Sequence, residues 1–444
     1  MKNSDRPIAI DLFAGAGGMS LGFERAGFDV VAAIEIDPIH AAAHKFNFPE
    51  CAVIPKSVVG LAADDIRMAA GIGNSEVDVV FGGAPCQGFS MIGQRAIEDP
   101  RNQLVKEFVR LVCELNAKSF VFENVKGLTL GKHRKFLEEL IIEFQRNGYD
   151  VQRQWKVLNA VNFGVPQSRE RLFLMGVRSG MVVPEYPTPT HCSPKDKLRP
   201  GLCSHVSCSE AISDLPDADQ FSELEKSDQV AIYDWDPTNL YAKSMRCLTD
   251  DAWANGYLRR WEACVLTSSM RTSHSDISKR RFRETEAGTV EPISRFFKLH
   301  PNGVSNTLRA GTDAARGAFT SPRPIHYIHT RCVTVREMAR LHSFPDWFRF
   351  HGTKWHGARQ IGNSVPPLLA EAVAVKIMSA LGLEASGAKR VLSLGDPKLL
   401  KFDMREASKF WGVAPPISKR NKKSGMQKRK QYEVEADRLV GALK

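Results

Sequence analysis

The chain lacks the features that mark membrane, secreted and disulfide-bonded proteins. Its 444 residues contain no apolar run approaching the roughly 20 residues that a membrane-spanning helix needs. The N-terminus, MKNSDRPIAI, has no charged-then-apolar signal pattern. Nine cysteines, an odd number, are scattered from Cys51 to Cys332 without regular spacing, which is typical of reduced thiols. No internal repeat is present. We therefore expect a soluble, cytoplasmic protein.

Net positive charge is also small outside the C-terminal region. The net charge is +11, but residues 385 to 444 contain 15 Lys or Arg against 6 Asp or Glu, which leaves only +2 for the other 384 residues. The basic character therefore reports mainly on a solvated tail, which includes the run SKRNKKSGMQKRK. It does not by itself indicate that the folded core binds nucleic acid.

The first 180 residues alternate between short apolar runs and helical patterns. IAIDLF, DVVAAIE, VDVVFGG, SFVFENV and RLFLMGV are typical of strands buried on both faces of a sheet. Between them, Asp37-Pro38 predicts a capped helix start, and Asn102 precedes a second helical pattern. This order predicts an α/β fold with a doubly wound, mostly parallel sheet, whose ligands bind at the carboxyl ends of the strands.

The regular pattern ends near residue 182 and returns near residue 326. We expect a catalytic and cofactor-binding domain whose first part is 1–181, a smaller irregular insert at 182–325, a helical return segment at 326–384, and the basic tail at 385–444. The return segment would pack back on the first domain, so the second domain is an insertion.

A glycine-rich turn, DLFAGAGG, follows the first predicted strand and opens a helix. Such a turn allows close approach of a ligand, although tight strand-to-helix packing explains it equally well. Glu35 lies about 20 residues further on, where its carboxylate could accept hydrogen bonds from both hydroxyls of a ribose. This spacing indicates a ligand that contains a ribose. Asp65 is either an adenine contact or an ordinary helix cap. Because no phosphate signature is present, the pattern favours S-adenosylmethionine over the competing nicotinamide cofactors.

Cys86 stands in the run FGGAPCQGFS, directly after a predicted strand. Most cysteines after strands are small buried hydrophobes, but Pro85 and the surrounding glycines favour an exposed nucleophile. Glu123 lies at the end of the neighbouring strand, where a carboxylate and a thiol would share one cavity. Arg169 and Arg171 alternate along a strand start and would face the same side; otherwise they are surface ion-pair residues.

The insert carries two further candidate sites. Its basic cluster consists of Arg271, Lys279, Arg280, Arg281 and Arg283, which either contact DNA phosphates and a guanine or form a solvated charged loop. Its possible metal ligands are His191, Cys192, Cys203, His205 and Cys208. Because their spacing fits no standard zinc finger, we expect no metal site.

Seven motifs taken together resemble the motif series of the DNA cytosine C5 methyltransferases of bacterial restriction-modification systems. They are DLFAGAGG, Glu35, Asp65-Ile66, GGAPCQGFS, FENV, QSRER and RQIGNSVPP, in this order. The resemblance spans residues 8 to about 178 and 331 to about 380, and it leaves the insert and the tail without assigned motifs.

The resemblance implies covalent chemistry on a cytosine. Cys86 would attack C6, which turns the ring into an enamine that accepts a methyl group at C5. Glu123 would hydrogen-bond N3 and the amino group, Arg171 would bind O2, and Arg169 would anchor the site. No metal is required. The base would be flipped out of the duplex, with Gln87, Ser90 and the loop to Arg101 closing behind it.

The resemblance also implies an S-adenosyl-L-methionine pocket. Phe13 would stack on adenine, Gly15 and Gly18 would allow close approach, and Glu35 would bind the ribose. Asp65 would hold the adenine amino group, with Asp64 as a competitor for that role. The other residues assigned to this pocket are Asp11, Ile36, Ile66, Leu104, Asn363 and Ser364. Asn124 would order the loop rather than touch substrate.

The insert would then be the target recognition domain for double-stranded DNA. Thr307 and Arg309, in a segment resembling the one that often closes this domain, are candidate DNA contacts. We expect a monomer that works beside a restriction endonuclease of the same specificity. A tRNA-methylating enzyme and an inactive homologue that binds without turnover are the alternatives; the large insert argues against the first and the intact motifs against the second. No recognition code can be read from the sequence.

Overall fold

An eight-stranded mixed sheet forms the centre of the protein. The computed structural model describes residues 6–85, 102–131, 133–193, 201–233, 235–311, 323–387 and 390–415. The strands of the sheet are β1 (Ile8–Leu12), β2 (Asp29–Ile34), β3 (Ala52–Ile54), β4 (Val79–Gly82), β5 (Ser119–Val125), β6 (Tyr149–Val151), β7 (Lys156–Asn159) and β8 (Glu170–Arg178).

The strand order is that of a doubly wound sheet. It runs β3-β2-β1-β4-β5-β8-β6, with β7 also paired to β8. Neighbours from β3 to β5 are parallel, whereas β8 is antiparallel to β5, β6 and β7. The prediction of a mostly parallel α/β sheet is therefore confirmed, and all five predicted strand runs are strands. The last of them, β8, is the antiparallel one.

Helices cover both faces of this sheet. They are α1 (Gly18–Ala26), α2 (Pro38–Asn47), α3 (Ala63–Ala70), α4 (Gln103–Glu114) and α5 (His133–Arg146). Alternate strand residues explain the two layers: Phe120 and Phe122 pack with the α3, α4 and α5 side, whereas Val121 packs with α1. Asp37 caps α2 as predicted, because its side chain accepts from the backbone of Ile39 and His40.

The return segment completes one face of the sheet. Its helices are α9 (Val335–Leu341), α10 (Lys354–Asn363) and α11 (Pro367–Ala380). Helix α11 packs along α1, where a side chain on Gly22 would clash with the Ala370 side chain at 2.4 Å. This close packing agrees with the expectation that the segment returns to the first domain.

The insert consists of short elements. They are β9 (His191–Cys192), β10 (Cys203–Ser204), α6 (Cys208–Ile212), β11 (Val230–Ala231), α7 (Leu240–Met245), β12 (Leu258–Arg260), β13 (Val265–Leu266) and α8 (Asp276–Glu284). Its apolar side chains share one core with the return segment, in which Leu266 and Ile212 join Phe344 and Trp347. The insert therefore packs against the return segment as well as against the sheet domain.

The predicted tail from residue 385 is wrong for residues 390–415. This part forms β14 (Val391–Ser393), a short 3-10 turn at Pro397–Leu400, and α12 (Met404–Trp411). Leu399 and Leu400 are buried. The run SKRNKKSGMQKRK lies outside the described residues. Within the described ranges, no helix has both the length and the apolar character to cross a membrane.

Candidate active site

The glycine-rich turn after β1 is held by the end of β2. The backbone amides of Phe13 and Ala14 both donate to the carbonyl of Ile34 at 3.0 Å. Phe13 has a φ of 71°, which is rare for a residue with a large side chain and is a feature that clusters at functional sites. The amide of Gly15 then donates to Glu35 Oε2 at 2.7 Å. The turn and Glu35 therefore form one unit.

Glu35 is fixed by both of its carboxylate oxygens. Oε1 accepts from the amide of Asp37 at 2.8 Å, so the side chain spans the gap between the glycine-rich turn and the start of α2. Burial raises the pKa of Glu35, and His40 and the two amides partly oppose that increase. Each oxygen keeps a further lone pair, which is what binding of two ribose hydroxyls requires.

Asp11 lies behind this turn in a buried polar chain. Ser20 Oγ donates to Asp11 Oδ2 at 2.6 Å and lies 3.1 Å from His44 Nε2. Burial raises the pKa of Asp11 to about 8, and the nearby charge of Glu35 adds to this effect. Burial also lowers the pKa of His44 to about 3. Asp11 is therefore a buried carboxyl group that has no cation as a partner among the described residues.

The other predicted cofactor residues differ in their surroundings. Ile36 is 66% exposed, an unusual state for a large apolar side chain directly after Glu35. Asp65 is exposed in the first turn of α3, where Ala62 rather than an aspartate is the N-cap residue. Ile66 is fully buried and packs in the core, so its side chain offers no surface to a ligand. Leu104 is half-buried at the start of α4.

Gly18, Asn363 and Ser364 lie at the junction with the return segment. An added side chain on Gly18 would lie 2.5 Å from the carbonyl of Val365, so packing against the return segment requires glycine there. Asn363 is exposed at the end of α10. Ser364 is buried, and its hydroxyl donates to the carbonyl of Gln360 at 2.7 Å. The return segment therefore borders the turn, as expected.

The glycines before Cys86 allow the chain to pass close to two groups. An added side chain on Gly82 would lie 1.8 Å from the carbonyl of Leu12, and one on Gly83 would lie 2.5 Å from Glu123 Oε2. Asn124 Nδ2 donates to the carbonyl of Ala84 at 2.9 Å, so it orders this loop at its start. Cys86 itself lies outside the described residues, as do Gln87, Ser90 and Arg101.

Glu123 and Arg171 form an ion pair beside that loop. Arg171 Nε lies 2.9 Å from Glu123 Oε1, and the two side chains are only 14% and 12% exposed. Burial raises the pKa of Glu123, although Arg171 and Arg169 oppose it. Arg171 Nη1 donates to the carbonyl of Glu170. Within the described part of the chain, the Nη2 hydrogens of Arg171 have no partner, so they can serve a ligand.

Arg169 is a buried positioning residue. Its guanidinium donates to the carbonyls of Leu308, Gly362 and Ser364 at 2.8 to 2.9 Å. It is 1% exposed. Burial followed by the charge of Arg171 lowers its pKa. Arg169 was predicted among the catalytic residues, as the one that anchors the site. Its hydrogen bonds to three backbone carbonyls support the anchoring role and not a contact with substrate.

A network around His342 joins the same three segments. Gln167 Nε2 lies 2.8 Å from His342 Nδ1, and His342 Nε2 lies 3.0 Å from the carbonyl of Ser364. Gln167 Oε1 accepts from the amide of Leu308. Burial lowers the pKa of His342 well below its usual value, so the ring is neutral. His342 carries no motif in the sequence. The one indirect signal is Gln167, the first residue of QSRER, because a buried amide side chain needs a polar partner.

The basic cluster of the insert is divided between surface and interior. Helix α8 exposes Lys279, Arg280 and Arg283 to solvent. Arg281 instead turns toward Glu291, with 3.7 Å between charged atoms. Arg271 precedes the helix and lies near two acidic side chains, at 3.5 Å from Glu225 and 3.9 Å from Asp219. Four of the five residues of this cluster therefore lie on one helix, and three of those four are exposed, whereas a solvated loop was the alternative.

Thr307 and Arg309 follow a segment that is pinned to the start of β8. The amide of Ser168 donates to the carbonyl of Ser305, and Thr307 Oγ1 donates to the carbonyl of Ser168 at 2.8 Å. Arg309 is exposed. The structure therefore brings the end of the insert against Arg169, whose guanidinium donates to the carbonyl of Leu308.

The cysteine and histidine candidates of the insert lie around a short two-stranded pair. β9 and β10 run parallel, with His191 opposite Cys203. His205 Nε2 lies 3.2 Å from Asn162 Oδ1. No group of three or more His, Cys, Asp or Glu side chains among the described residues has an arrangement that could hold a metal ion.

The comparisons with known proteins agree on one family. The sequence profile described as C-5 cytosine-specific DNA methylase matches residues 8–379. Type II methyltransferase M.XorII of Xanthomonas oryzae pv. oryzae is 55% identical over 412 residues, which cover 93% of this chain and 94% of that protein. Type II methyltransferase M1.HphI of Haemophilus parahaemolyticus is 34% identical and covers 83% and 86% of the two chains.

Solved structures of related proteins have the same fold. An E. coli protein encoded within a prophage, described as a DNA modification methyltransferase, superposes with a TM-score of 0.66 at 31% identity, over 85% of this chain and 99% of that one. The Dnmt2 methyltransferase of S. pombe has a TM-score of 0.50 at 17% identity, over 85% and 100% of the two chains, which shows a common fold alone. The profile match and the identity to M.XorII show that the chain belongs to the C-5 cytosine-specific DNA methylase family, as a DNA cytosine-5-methyltransferase of the bacterial restriction-modification type.

Proposed function

We propose that this enzyme methylates C5 of a flipped-out cytosine within a specific DNA sequence, through a covalent bond between Cys86 and C6. The observation that carries the proposal is the pair formed by Glu123 and Arg171. Gly83 passes against the Glu123 carboxylate, and Cys86 follows three residues later in the chain. The start of the loop that leads to Cys86 therefore lies against a carboxyl group that is paired with a cation.

The residues supply what a poor carbon nucleophile needs. The thiolate of Cys86 adds to C6, and the ring electrons move toward N3 and O2. Glu123 in its protonated form donates to N3 as charge develops there, a state that its raised pKa favours. Arg171 donates to O2. After methylation of C5, loss of the C5 proton to a base and departure of the Cys86 sulfur restore the ring.

We propose that the glycine-rich turn and Glu35 together bind S-adenosyl-L-methionine. Bound there, this compound supplies the methyl group. Asp11 and Glu35 are buried carboxyl groups whose pKa values are raised, so a cationic ligand is favoured and a pyrophosphate is not. This argues against a nicotinamide dinucleotide. Glu35 would bind the ribose, and Phe13 and the exposed Ile36 would contact the adenine ring.

The substrate and setting follow from the family. The relatives act in type II modification, so we propose double-stranded DNA as the substrate and a restriction endonuclease of the same specificity as the functional partner. We propose a monomer that acts in the cytoplasm. The insert would select the target sequence, with α8 on the phosphates and Thr307 and Arg309 nearer the flipped base. Asp65, Leu104, Asn363 and Ser364 remain proposed contacts of the cofactor.

A mechanism-based trap tests the central step. The protein is expressed in a methylation-free host, and mapping of 5-methylcytosine identifies the target. A duplex with 5-fluorocytosine at that position, incubated with S-adenosylmethionine, should become covalently attached, because fluorine cannot leave as the C5 proton does. Cys86→Ala should abolish the adduct and still bind DNA.

The matched control for this experiment is Cys113→Ala. Burial raises the pKa of Cys113 to about 11, so it is a poor nucleophile and its loss should leave the adduct unchanged. Absence of the adduct in the wild-type protein would contradict the covalent mechanism. If the target is methylated but no adduct forms, Cys86 is not the nucleophile of the reaction. If neither methylation nor the adduct is seen, the result favours an inactive homologue.

A further inference from the structure

A folded C-terminal segment lies beyond the part of the chain that matches the family profile. The match ends at residue 379, and residues 390–415, which we call the C-terminal brace, contain β14 and α12. The brace does not belong to the insert or to the sheet. It contacts both, and its contacts on the sheet side are made with the elements that frame the proposed cofactor pocket.

The first of these contacts is apolar. A separate buried cluster joins the brace to α2 and to the glycine-rich turn; its members are Ala16, Ala42, Ala43, Phe46, Leu399 and Leu400. Ala16 belongs to the turn whose neighbour Gly15 donates to Glu35. The amide of Gly395 donates to the carbonyl of Phe46 at 2.8 Å. One wall of the pocket is therefore packed against the brace.

The second contact is a hydrogen bond at the opposite end of α2. Trp411 Nε1 donates to the carbonyl of Pro38 at 3.1 Å. Pro38 directly follows Asp37, whose amide holds Glu35 Oε1 and whose side chain caps the helix. Trp411 is therefore linked to the proposed ribose-binding carboxylate of Glu35 through the backbone of Pro38 and Asp37.

The brace is itself anchored on the insert and the return segment. β14 pairs in parallel with β12 of the insert. The amide of Gly352 donates to the carbonyl of Leu400 at 2.8 Å, and His351 Nε2 lies 3.0 Å from the carbonyl of Phe402. A movement of the brace would therefore displace α2 relative to the rest of the molecule.

We propose that the C-terminal brace is a positioning element of the cofactor site, and that Trp411 acts through Pro38 to hold the Glu35 carboxylate in its binding position. The inference rests on the proposed function, because it takes the Glu35 pocket as the site of S-adenosylmethionine. Trp411 is not a catalytic residue: it acts only through Pro38 and Asp37.

Trp411→Phe removes the indole donor and keeps an aromatic ring. Binding of S-adenosylhomocysteine, measured by titration calorimetry, should weaken about 3- to 10-fold, the effect of one lost hydrogen bond to a positioned group. The KM for S-adenosylmethionine should rise by the same factor, while kcat and the KM for DNA stay within about 2-fold, a split that loss of folded protein would not produce.

Trp235→Phe is the matched control. Trp235 Nε1 donates to Asp214 in the insert at 3.3 Å, so the same substitution removes the same kind of bond away from the pocket. It should leave binding of S-adenosylhomocysteine unchanged. Equal weakening by both substitutions, or binding by Trp411→Phe within 1.5-fold of wild type, would overturn the inference. Failure of the wild-type protein to bind S-adenosylhomocysteine would instead overturn the proposed function, and the inference with it.

Two truncations separate the brace from the basic sequence after it. A chain ending at residue 415 keeps the brace and should bind S-adenosylhomocysteine as the full chain does, although loss of nine Lys or Arg should reduce nonspecific DNA binding and its salt dependence. A chain ending at residue 387 should lose more than 10-fold in cofactor affinity. Retained affinity in a folded chain ending at residue 387 would also refute the role of the brace.

Discussion

Buried carboxyl groups occur in two regions of this protein, and their environments are opposite. At the edge of the sheet, burial raises the pKa values of Asp11, Glu35 and Glu123. At the junction between the insert and the return segment, burial is overcome by arginine: Arg331 and His326 lower the pKa of Glu337 to about 2, and Arg340 lowers that of Asp346. Carboxyl groups therefore have raised pKa values in one region and lowered pKa values in the other.

The difference lies in how many cations each carboxylate contacts. Arg331 holds Glu337 with two bonds of 2.9 Å, and Arg340 binds Asp346 and Asp214 together. Asp11 accepts from a serine hydroxyl, and Glu35 accepts from two amides. Glu337 and Asp346 are thus each held by arginine, whereas Asp11 and Glu35 have no arginine partner among the described residues, and the pKa of Glu123 stays raised despite its ion pair with Arg171. Incomplete compensation is therefore the better indicator of function here.

Glu123→Gln should have the largest effect. The amide keeps the shape and a donor, but it cannot carry the proton that N3 needs, so single-turnover methylation should slow by about 10²- to 10⁴-fold. Binding of S-adenosylhomocysteine, measured alongside, should not change. A rate within 10-fold of wild type would mean that Glu123 has a structural role, as the carboxylates of the junction do, and not a role in the chemistry.

Arg340→Met should show the complementary loss of stability. It leaves Asp214 and Asp346 buried without their shared cation, which should lower the free energy of unfolding by about 3–5 kcal/mol. Urea unfolding measures this value. Methylation at a temperature where the variant is folded should stay within a few-fold of wild type. A large rate loss in folded protein would show that the junction takes part in the chemistry.

Asp11→Asn should change how stability depends on pH. The pKa of Asp11 is raised from 3.8 in the unfolded chain to about 8, so its favourable contribution is complete below pH 3.8 and is lost as pH rises to about 8. Between pH 5 and 8 the wild type should therefore lose up to about 1 kcal/mol per pH unit relative to Asp11→Asn. Thermal unfolding across this range measures the difference.

Glu337→Gln provides the control of opposite sign. The pKa of Glu337 is lowered to about 2, so its contribution is present above pH 4.5 and is lost as pH falls from 4.5 to 2. The difference from wild type should then shrink on acidification and stay constant between pH 5 and 8. The same pH slope in both variants would contradict the contrast between the regions.

Changes on α8 should have the smallest effect for each residue. Replacing Lys279, Arg280 and Arg283 by Gln should reduce the slope of log Kobs for DNA against log salt by about 0.9 for each phosphate that the protein no longer neutralises. Arg281→Gln is the control, because Arg281 faces Glu291. An unchanged slope in the triple variant would show that α8 does not contact the DNA phosphates.

The sequence predicted the sheet because its strands are continuous apolar runs, and strand ends in a parallel sheet share an edge. Glu123 and Arg171 meet for a different reason: β8 runs antiparallel to β5, so the start of β8 lies beside the end of β5. The sequence could not predict the burial of Arg169, because Leu308 and Ser364 lie 139 and 195 residues away. Helix α8 was missed because it is mostly charged and buries only Ser278 and Phe282, too few residues to give a helical apolar pattern.

The C-terminal brace was missed for a related reason. Its elements are short, and basic residues dominate the surrounding composition, so the apolar pair Leu399 and Leu400 gave no periodic signal. What holds it in place is a set of interactions with α2 and β12, more than a hundred residues away in the chain. Such long-range interactions leave no mark in a local pattern.

Gly82 sets a limit on how this enzyme can be redesigned. Even a methyl group on this residue would collide with the backbone of Leu12, one residue before Phe13. Under the proposed mechanism, a change that moves the Cys86 loop to admit a larger base would also move the turn that we propose as the binding site of the methyl donor. Enlarged base specificity should therefore be sought by changing side chains that line the loop, with the backbone of β4 left as it is.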